Sequence, residues 1–190
     1  MKSAAALNKR VICYENHDTV SDAHDNRLES RYGNSVCDAM LVITFTSGAV
    51  PFIYNGTEIA DSARHSLWSN RFYGNNLCVD WSEAVTEKGR KRTELIKKLS
   101  AVHHNISAIN KGNTEILSDS KTVAAYKKSY KGHEVIVAAN LSTDINSIIL
   151  DTVDIKDFKT LLSARSIQKN NSIILDNGGY IVLYKQLCNA

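Results

Sequence analysis

Several chemistries have no footing in this sequence. The four cysteines, Cys13, Cys37, Cys78 and Cys188, form no C-x-x-C unit, so a zinc site has little support. No G-x-S-x-G elbow, phosphate-binding glycine loop or H-E-x-x-H pair occurs, which leaves a serine hydrolase, a nucleotide site and a zinc protease without their signatures. No apolar run reaches membrane-spanning length, and the patch in "MKSAAALNK" is too brief for the apolar core of a signal peptide. Charge of one sign is also missing, the formal balance being only +3. The one dense basic cluster, "KGRKRTELIKK", lies in an amphipathic helical pattern and reads as a solvated helix face, which argues against a nucleic-acid partner. Neither an internal repeat nor a low-complexity segment is evident, and Pro51 is the single proline. The cysteines sit in or beside apolar runs and read as buried free thiols, with a disulfide left open by their even number.

What is present is ordinary globular material. The chain has 190 residues, 43% hydrophobic and 23% charged, enough to bury a real core as one domain or two small ones. The first half alternates strand and helix. "RVICY" suits a buried strand. Ser35, with Asp38 three residues on, has the form of a capping box after a polar loop, and Val36, Met40 and Ile43 follow at helical spacing up to Gly48. "VPFIY" is a second strand, with its proline tolerable only at the beginning. A long polar and aromatic loop runs from Asn55 to Trp81, and Leu95, Leu99, Val102 and Ile106 then mark one face of a helix beginning near Thr86. Strand, helix, strand, helix favours parallel strands joined by crossovers.

Near Gly112 the pattern changes. "TVAAYKKSYKGHEVIVAANLS" reads as two strands about the "KG" turn, "SIILD" and "FKTLLS" as further strands, and "DNGG" between apolar runs as a hairpin. A small antiparallel β-domain is expected from residue 112 to the end.

Where parallel strands end, loops converge over a rigid base and ligands collect. "VICYENHDTV" brings Asn16, His17 and Asp18 to such an end. A neutral imidazole can donate to a sugar hydroxyl, and a carboxylate can stabilise developing positive charge. The ordinary alternative is loop capping by Asn16. The polar run "NHDTVSDAHDNR" also holds Asp22, His24 and Asp25, but without a calcium-loop pattern it reads as a surface loop. Trp68, Phe72, Tyr73 and Trp81 could stack on sugar faces or pin their own loop. His103 and His104 adjoin the apolar helix face and read as core-edge packing.

These segments resemble the α-amylase family of glycoside hydrolases. "YENHDT" resembles its seventh barrel-strand segment, "GAVPFIYNGTEIAD" its eighth, "RTELIKKLSAVHHNISAINKGN" the last barrel helix, and "VIVAANLS" a strand of its C-terminal domain. The resemblance runs in order over nearly the whole chain. It implies a mixed fold: a partial (β/α)8 TIM-barrel segment of two βα units over residues 1–111, then an antiparallel all-β sandwich domain over residues 112–190. It implies that Asp18 stabilises an oxocarbenium-like transition state, that His17 hydrogen-bonds the sugar at the cleavage point, and that Asn16 supports the loop. It places Arg27 among the substrate-binding residues, with Asp22 or Arg27 lining the cleft, and Gly56 and Glu58 in mainly structural positions; the carboxylate of Glu58 reads as hydrogen-bonding within its loop, with ligand binding as the alternative.

The chain departs from the family in one respect. Glycoside hydrolysis needs a nucleophilic carboxylate and a second carboxyl acting as acid and base. In the family these come from the fourth and fifth strands, and this chain starts just before the seventh; Glu15, Asp22 and Asp25 have no arrangement to replace them. The expectation is therefore a C-terminal fragment of an enzyme acting on α-glucans such as starch and maltooligosaccharides, inactive alone. No cofactor is expected, with calcium reserved for the complete enzyme and not this segment. The partners expected are an α-glucan and either a second copy or the missing barrel half, with no membrane. A second reading stays open: a non-catalytic carbohydrate-binding or assembly module.

Overall fold

Two very short strands open the fold in parallel: β1 (Val11–Ile12) and β2 (Val50–Pro51), with Val11 opposite Val50 and Ile12 opposite Pro51. Pro51 is harmless there because the ladder uses Phe52 N–H, which donates to the Ile12 carbonyl at 2.8 Å. The computed structural model of the chain describes residues 10–21, 27–64, 67–149 and 154–187. Between the strands lie helices α1 (His17–Ser21) and α2 (Leu28–Thr46). The loop expected before Ser35 is already helical from Leu28, and Gly33 (φ 81°, ψ 159°) breaks the helix into a short leading turn and the main body. The Ser35 and Asp38 pattern serves another purpose than a capping box: Asp38 Oδ1 accepts from Arg92 Nε at 2.7 Å.

After β2 come a 3-10 turn (Thr57–Ile59), α3 (Leu67–Tyr73), a second 3-10 turn (Trp81–Val85), α4 (Glu87–Asn105) and α5 (Ser107–Lys111). Helix α4 begins where the apolar period places it, and Thr86 caps it, its hydroxyl accepting Gly89 N–H at 3.0 Å. Leu95 and Leu99 are buried on the expected face. His103 sits at the core edge, its Nδ1 2.8 Å from the Phe45 carbonyl oxygen. No helix among the described residues is long and apolar enough to cross a membrane.

The rest is antiparallel: β3 (Asn113–Ile116), β4 (Val123–Tyr130), β5 (His133–Asn140), β6 (Asn146–Ile149), β7 (Lys159–Lys169) and β8 (Ser172–Gln186). They form a single hydrogen-bonded sheet in the order β3-β4-β5-β8-β6, with β7 also on β8. The two-sheet sandwich expected from sequence is thus one curled sheet. Strand β8 makes the curl: Ser172–Leu175 pairs with β6, and Tyr180–Gln186 pairs with β5. The predicted "KG" turn is present, with Lys131 and Gly132 both in left-handed conformations (φ 46° and 78°). "DNGG" is no hairpin, since β8 runs through it and the reversal falls at Asn170–Asn171, where Lys169 pairs with Ser172. Its glycines answer to packing: a Cβ on Gly178 would lie 2.2 Å from the Ser35 carbonyl carbon, so the sheet touches the backbone of α2 there.

The pattern "VIVAA" in β5 is apolar without alternation because both faces are covered. Val135, Val137 and Ala139 join Leu41, Val42 and Phe45 of α2 and Leu99 of α4 in one core; Ile136 and Ala138 join Ile148, Ile173, Leu175 and Leu183 in a second core inside the curl.

Lys128, on β4, is buried beneath the end of α2, its Nζ donating to the Ser47 carbonyl at 2.9 Å and to Thr114 Oγ1 at 3.1 Å. Burial pushes its pKa down to about 8. A lysine in the unfolded chain titrates near 10.4, so between these values the unfolded state holds the extra proton and this group favours folding more as pH rises. The stability of the protein relative to Lys128→Met should be flat below pH 8 and increase from pH 8 to 10. Denaturant melts of both proteins across that range check it, and a difference that falls with pH contradicts the assignment.

Candidate functional site

Just past the carboxyl end of β1 the chain enters α1, whose first two residues are His17 and Asp18. Asn16 caps that turn: its Oδ1 accepts the N–H groups of Asp18 (3.0 Å) and Thr19 (3.1 Å), while Thr19 Oγ1 accepts Asn16 N–H at 2.8 Å. The capping alternative and the delivery of two functional side chains are therefore compatible. His17 Nε2 stands 3.2 Å from Asp18 Oδ1, and the side chains are 51% and 63% exposed, so both are open to a ligand. Asp22, His24 and Asp25 lie outside the described residues.

Arg27 is placed differently from the expectation that it lines a cleft. It is wholly buried. Nη2 pairs with Glu15 Oε1, and Nη1 donates to the Asn55 carbonyl at 2.7 Å and lies 3.4 Å from Asp61 Oδ2. Glu15, also buried, accepts from Thr57 Oγ1 at 3.1 Å and from Leu28 N–H at 3.2 Å. One guanidinium thereby ties the segment that carries His17 and Asp18 to the start of α2 and to the loop after β2. Gly56, at φ 86°, makes room for it: a Cβ there would sit 2.7 Å from Arg27 Nη1.

A second buried arginine works alongside. Arg92 belongs to the helix face expected to be solvated, yet it is buried and paired with Glu29, and it donates to the Thr57 carbonyl at 3.2 Å and the Asn34 carbonyl at 3.2 Å. Tyr14 OH donates to Glu29 Oε1 at 3.1 Å, and burial, reinforced by Glu29, raises the phenol above its usual range. Glu15, Glu29 and Arg92 were not singled out as structural ions from sequence. The signal available was a basic residue, Arg92, falling three positions before Leu95 on the apolar face.

Glu58 accepts Thr93 Oγ1 at 2.9 Å through its backbone carbonyl. Its side-chain Oε2 is buried without a hydrogen-bond partner among the described residues, so this oxygen does not supply the loop bond expected of Glu58. Helix α3 lies against α1, and Phe72 and Tyr73 at its end are exposed, as is Trp81. The side chain of Trp68 is outside the described set. Cys37 is buried, which pushes its thiol well up, but Cys78 is exposed and Cys13 half-buried, so only one of the three described cysteines fits the buried reading fully; all three are free. Among the described residues no group of His, Cys, Asp and Glu could hold a metal.

No family model matches the chain. It is 27% identical over 166 residues to a cyclomaltodextrinase of Thermoanaerobacter pseudethanolicus, a match covering 84% of this chain and 27% of that protein. It is similar in structure to the trehalose-6-phosphate hydrolase of Bacillus licheniformis, with a TM-score of 0.70 at 16% identity over 93% of this chain and 42% of that one. The α-amylase of Geobacillus thermoleovorans gives a TM-score of 0.62 at 18% identity, over 85% and 36%. The resemblance is to the C-terminal portion of the α-amylase family. The chain spans about a quarter of the curated relative it matches (27%). At these identities the structural likeness is one of fold: a few helices packed on an antiparallel curled sheet, as in the C-terminal domain of α-amylase-family enzymes.

Proposed function

We propose that the chain is the C-terminal portion of a glycoside hydrolase acting on α-glucans, with β1, α2, β2 and α4 as its last two barrel βα units within residues 1–111 and residues 112–190 as its C-terminal β-domain. Asp18 is the carboxylate that stabilises the oxocarbenium-like transition state and His17 hydrogen-bonds a sugar hydroxyl, both held by the Asn16 cap. The single observation that carries this is the pair itself: an imidazole and a carboxylate 3.2 Å apart, exposed, just past the end of a parallel strand. Arg27 acts in this reading as a positioning residue and not a sugar ligand, since its guanidinium is spent on Glu15, Asp61 and the Asn55 carbonyl.

The nucleophile and the acid/base come, in this reading, from strands outside the 190 residues. The chain by itself should then release no reducing sugar from maltoheptaose above a buffer blank. Turnover that survives rigorous purification and disappears in Asp18→Asn would show that the chain carries its own catalytic pair and would overturn the proposal. The exposed aromatics Phe72, Tyr73 and Trp81 favour the second reading, a non-catalytic glucan-binding module; saturable maltoheptaose binding without turnover, lost in Tyr73→Ala and unaffected by His17→Ala, would select it.

A further inference from the structure

A cleft opens where the main body of α2, α4 and the β7–β8 pair meet. Two adjoining cavities of about 330 and 530 Å³ share Asp38, Glu87, Lys91 and Arg165, and neither is lined by His17 or Asp18. The larger has an apolar floor of Leu95, Leu162 and Ala164 beneath a polar rim, the make-up of a small-molecule site between structural units. Two side chains in it carry donors that the fold does not use. Tyr180 is only 6% exposed, yet its hydroxyl makes no hydrogen bond among the described residues, although a buried hydroxyl ordinarily finds a partner. Burial, reinforced by Asp38, raises the phenol above its usual range, so it remains a donor. Arg165 is the second. Strands β7 and β8 slip register between Ala164, opposite Tyr180, and Ser166, opposite Leu175, and Arg165 sits in the slip at φ 47°, a left-handed conformation unfavourable for any residue but glycine. Its Nε donates to the Asn177 carbonyl at 3.0 Å and its Nη2 to the Gly178 carbonyl at 3.4 Å. One edge of the guanidinium is braced on backbone in this way, and Nη1 is left without a partner among the described residues.

Lys91 supplies a third donor. Its partner Glu87 lies one turn away on the same helix at 2.6 Å, with the two side chains 76% and 77% exposed, and such a pair is worth so little that a ligand can replace it. The other carboxylates of the cleft are engaged: Asp38 Oδ1 accepts from Arg92 Nε at 2.7 Å, Asp38 Oδ2 stands 3.8 Å from Arg165 Nη2, and Glu94 faces Lys98 at 3.8 Å. Cations outnumber carboxylates around the two cavities, but Glu29 and Glu83 behind the lining take up Arg92 and Lys88, so the excess is small and geometry decides. Arg165, Tyr180 and Lys91 stand on β7, β8 and α4 and line the same cavity. Donors arriving from three elements suit the tetrahedral oxygens of a phosphate better than the single plane of a carboxylate, and a braced guanidinium is pre-organised for them.

We propose that this cleft binds a phosphate group, free or as the ester of a small body that lies on Leu95 and Leu162, with the phosphate oxygens accepting from Arg165 Nη1, Lys91 Nζ and Tyr180 OH. The site uses neither His17 nor Asp18 and stands or falls apart from the catalytic reading. Isothermal titration of the full chain with glucose 6-phosphate, inorganic phosphate and glucose tests it. Glucose 6-phosphate should bind one to one, and Arg165→Gln should weaken that binding about tenfold, the loss expected when a charge-assisted hydrogen bond is removed. Tyr180→Phe should weaken it severalfold with an unchanged melting curve, because the hydroxyl holds nothing in the free protein. Lys97→Gln, on the same helix outside the cleft, should bind like the parent. Tighter binding of glucose 6-phosphate than of inorganic phosphate would support the site and assign it to an ester; equal affinities would support it and assign it to the free ion. No saturable binding of either phosphate, Arg165→Gln or Tyr180→Phe binding like the parent, or Lys97→Gln weakening binding as much as Arg165→Gln would each overturn the proposal. So would glucose binding as tightly as its phosphate, or a lowered melting curve in Tyr180→Phe, which would show the hydroxyl already spent on the fold.

Discussion

Arg27→Met should lower the unfolding free energy by about 3–5 kcal/mol, the cost of leaving buried carboxylates without their cation. Glu15 and Asp61 lie within 4 Å of its guanidinium and are themselves buried. Glu15 would keep its bonds from Thr57 and Leu28 N–H, while the Asp61 carboxylate would keep, among the described residues, the Ala63 N–H at 2.9 Å. Methionine fills the stem's volume but offers no donor, so the loss is electrostatic rather than a cavity. Replacing both acids as well, in Arg27→Met with Glu15→Leu and Asp61→Leu, should recover most of the stability, because an apolar set of similar size removes the unpaired charges. Urea melts of the single and triple variants decide it. A single-variant loss below about 1 kcal/mol would mean that the network holds nothing. The same variant should shift the NMR signals of the His17 ring even where the fold persists, since the tie from Glu15 to the Asn55 loop would be gone.

On the proposed function, Asp18→Asn in the chain reassembled with the barrel strands it lacks should reduce turnover of maltoheptaose about 10²–10³-fold with substrate binding little altered. Asparagine preserves shape and can still accept a hydrogen bond, so Asn16 and Thr19 keep their capping pattern, which uses the Asp18 backbone N–H and not its carboxylate. What the proposed role would lose is the negative charge opposite a cationic transition state, an interaction stronger there than in the ground state. Steady-state kinetics of the two proteins separate the outcomes. An equal rise in KM with kcat unchanged would make Asp18 a binding residue and remove it from the chemistry.

Much of this protein could be read along the chain. The start of α4 near Thr86, the Lys131–Gly132 turn, the apolar run of β5 and the delivery of His17 and Asp18 just past a strand end are local patterns, set by backbone donors a few residues away and by side-chain period. The site pair itself was legible for that reason. Arg27 and Arg92 were not, because a charge is buried only when its partners converge. Glu15 and Asp61 lie 12 and 34 residues from Arg27, and Glu29 lies 63 from Arg92. The "DNGG" segment failed in the same way: its glycines look like a turn, but Gly178 answers to the backbone of Ser35 and Gly179 to the Arg165 carbonyl, which only packing and strand pairing bring near.

The sequence by itself determined the alternation of β1, α2, β2 and α4, though not α1 or α3, which fall in segments that read as loops, the change to antiparallel strands near residue 112, and which polar side chains stand beyond β1. The tertiary structure alone decided that the strands after residue 112 make one curled sheet, that both arginines turn inward to brace the loops, and that, among the described residues, β1 pairs with β2 alone. The physical reason is range: propensity and periodicity act within a few residues, whereas burial of charge and close approach of backbones depend on atoms that only the folded chain brings together.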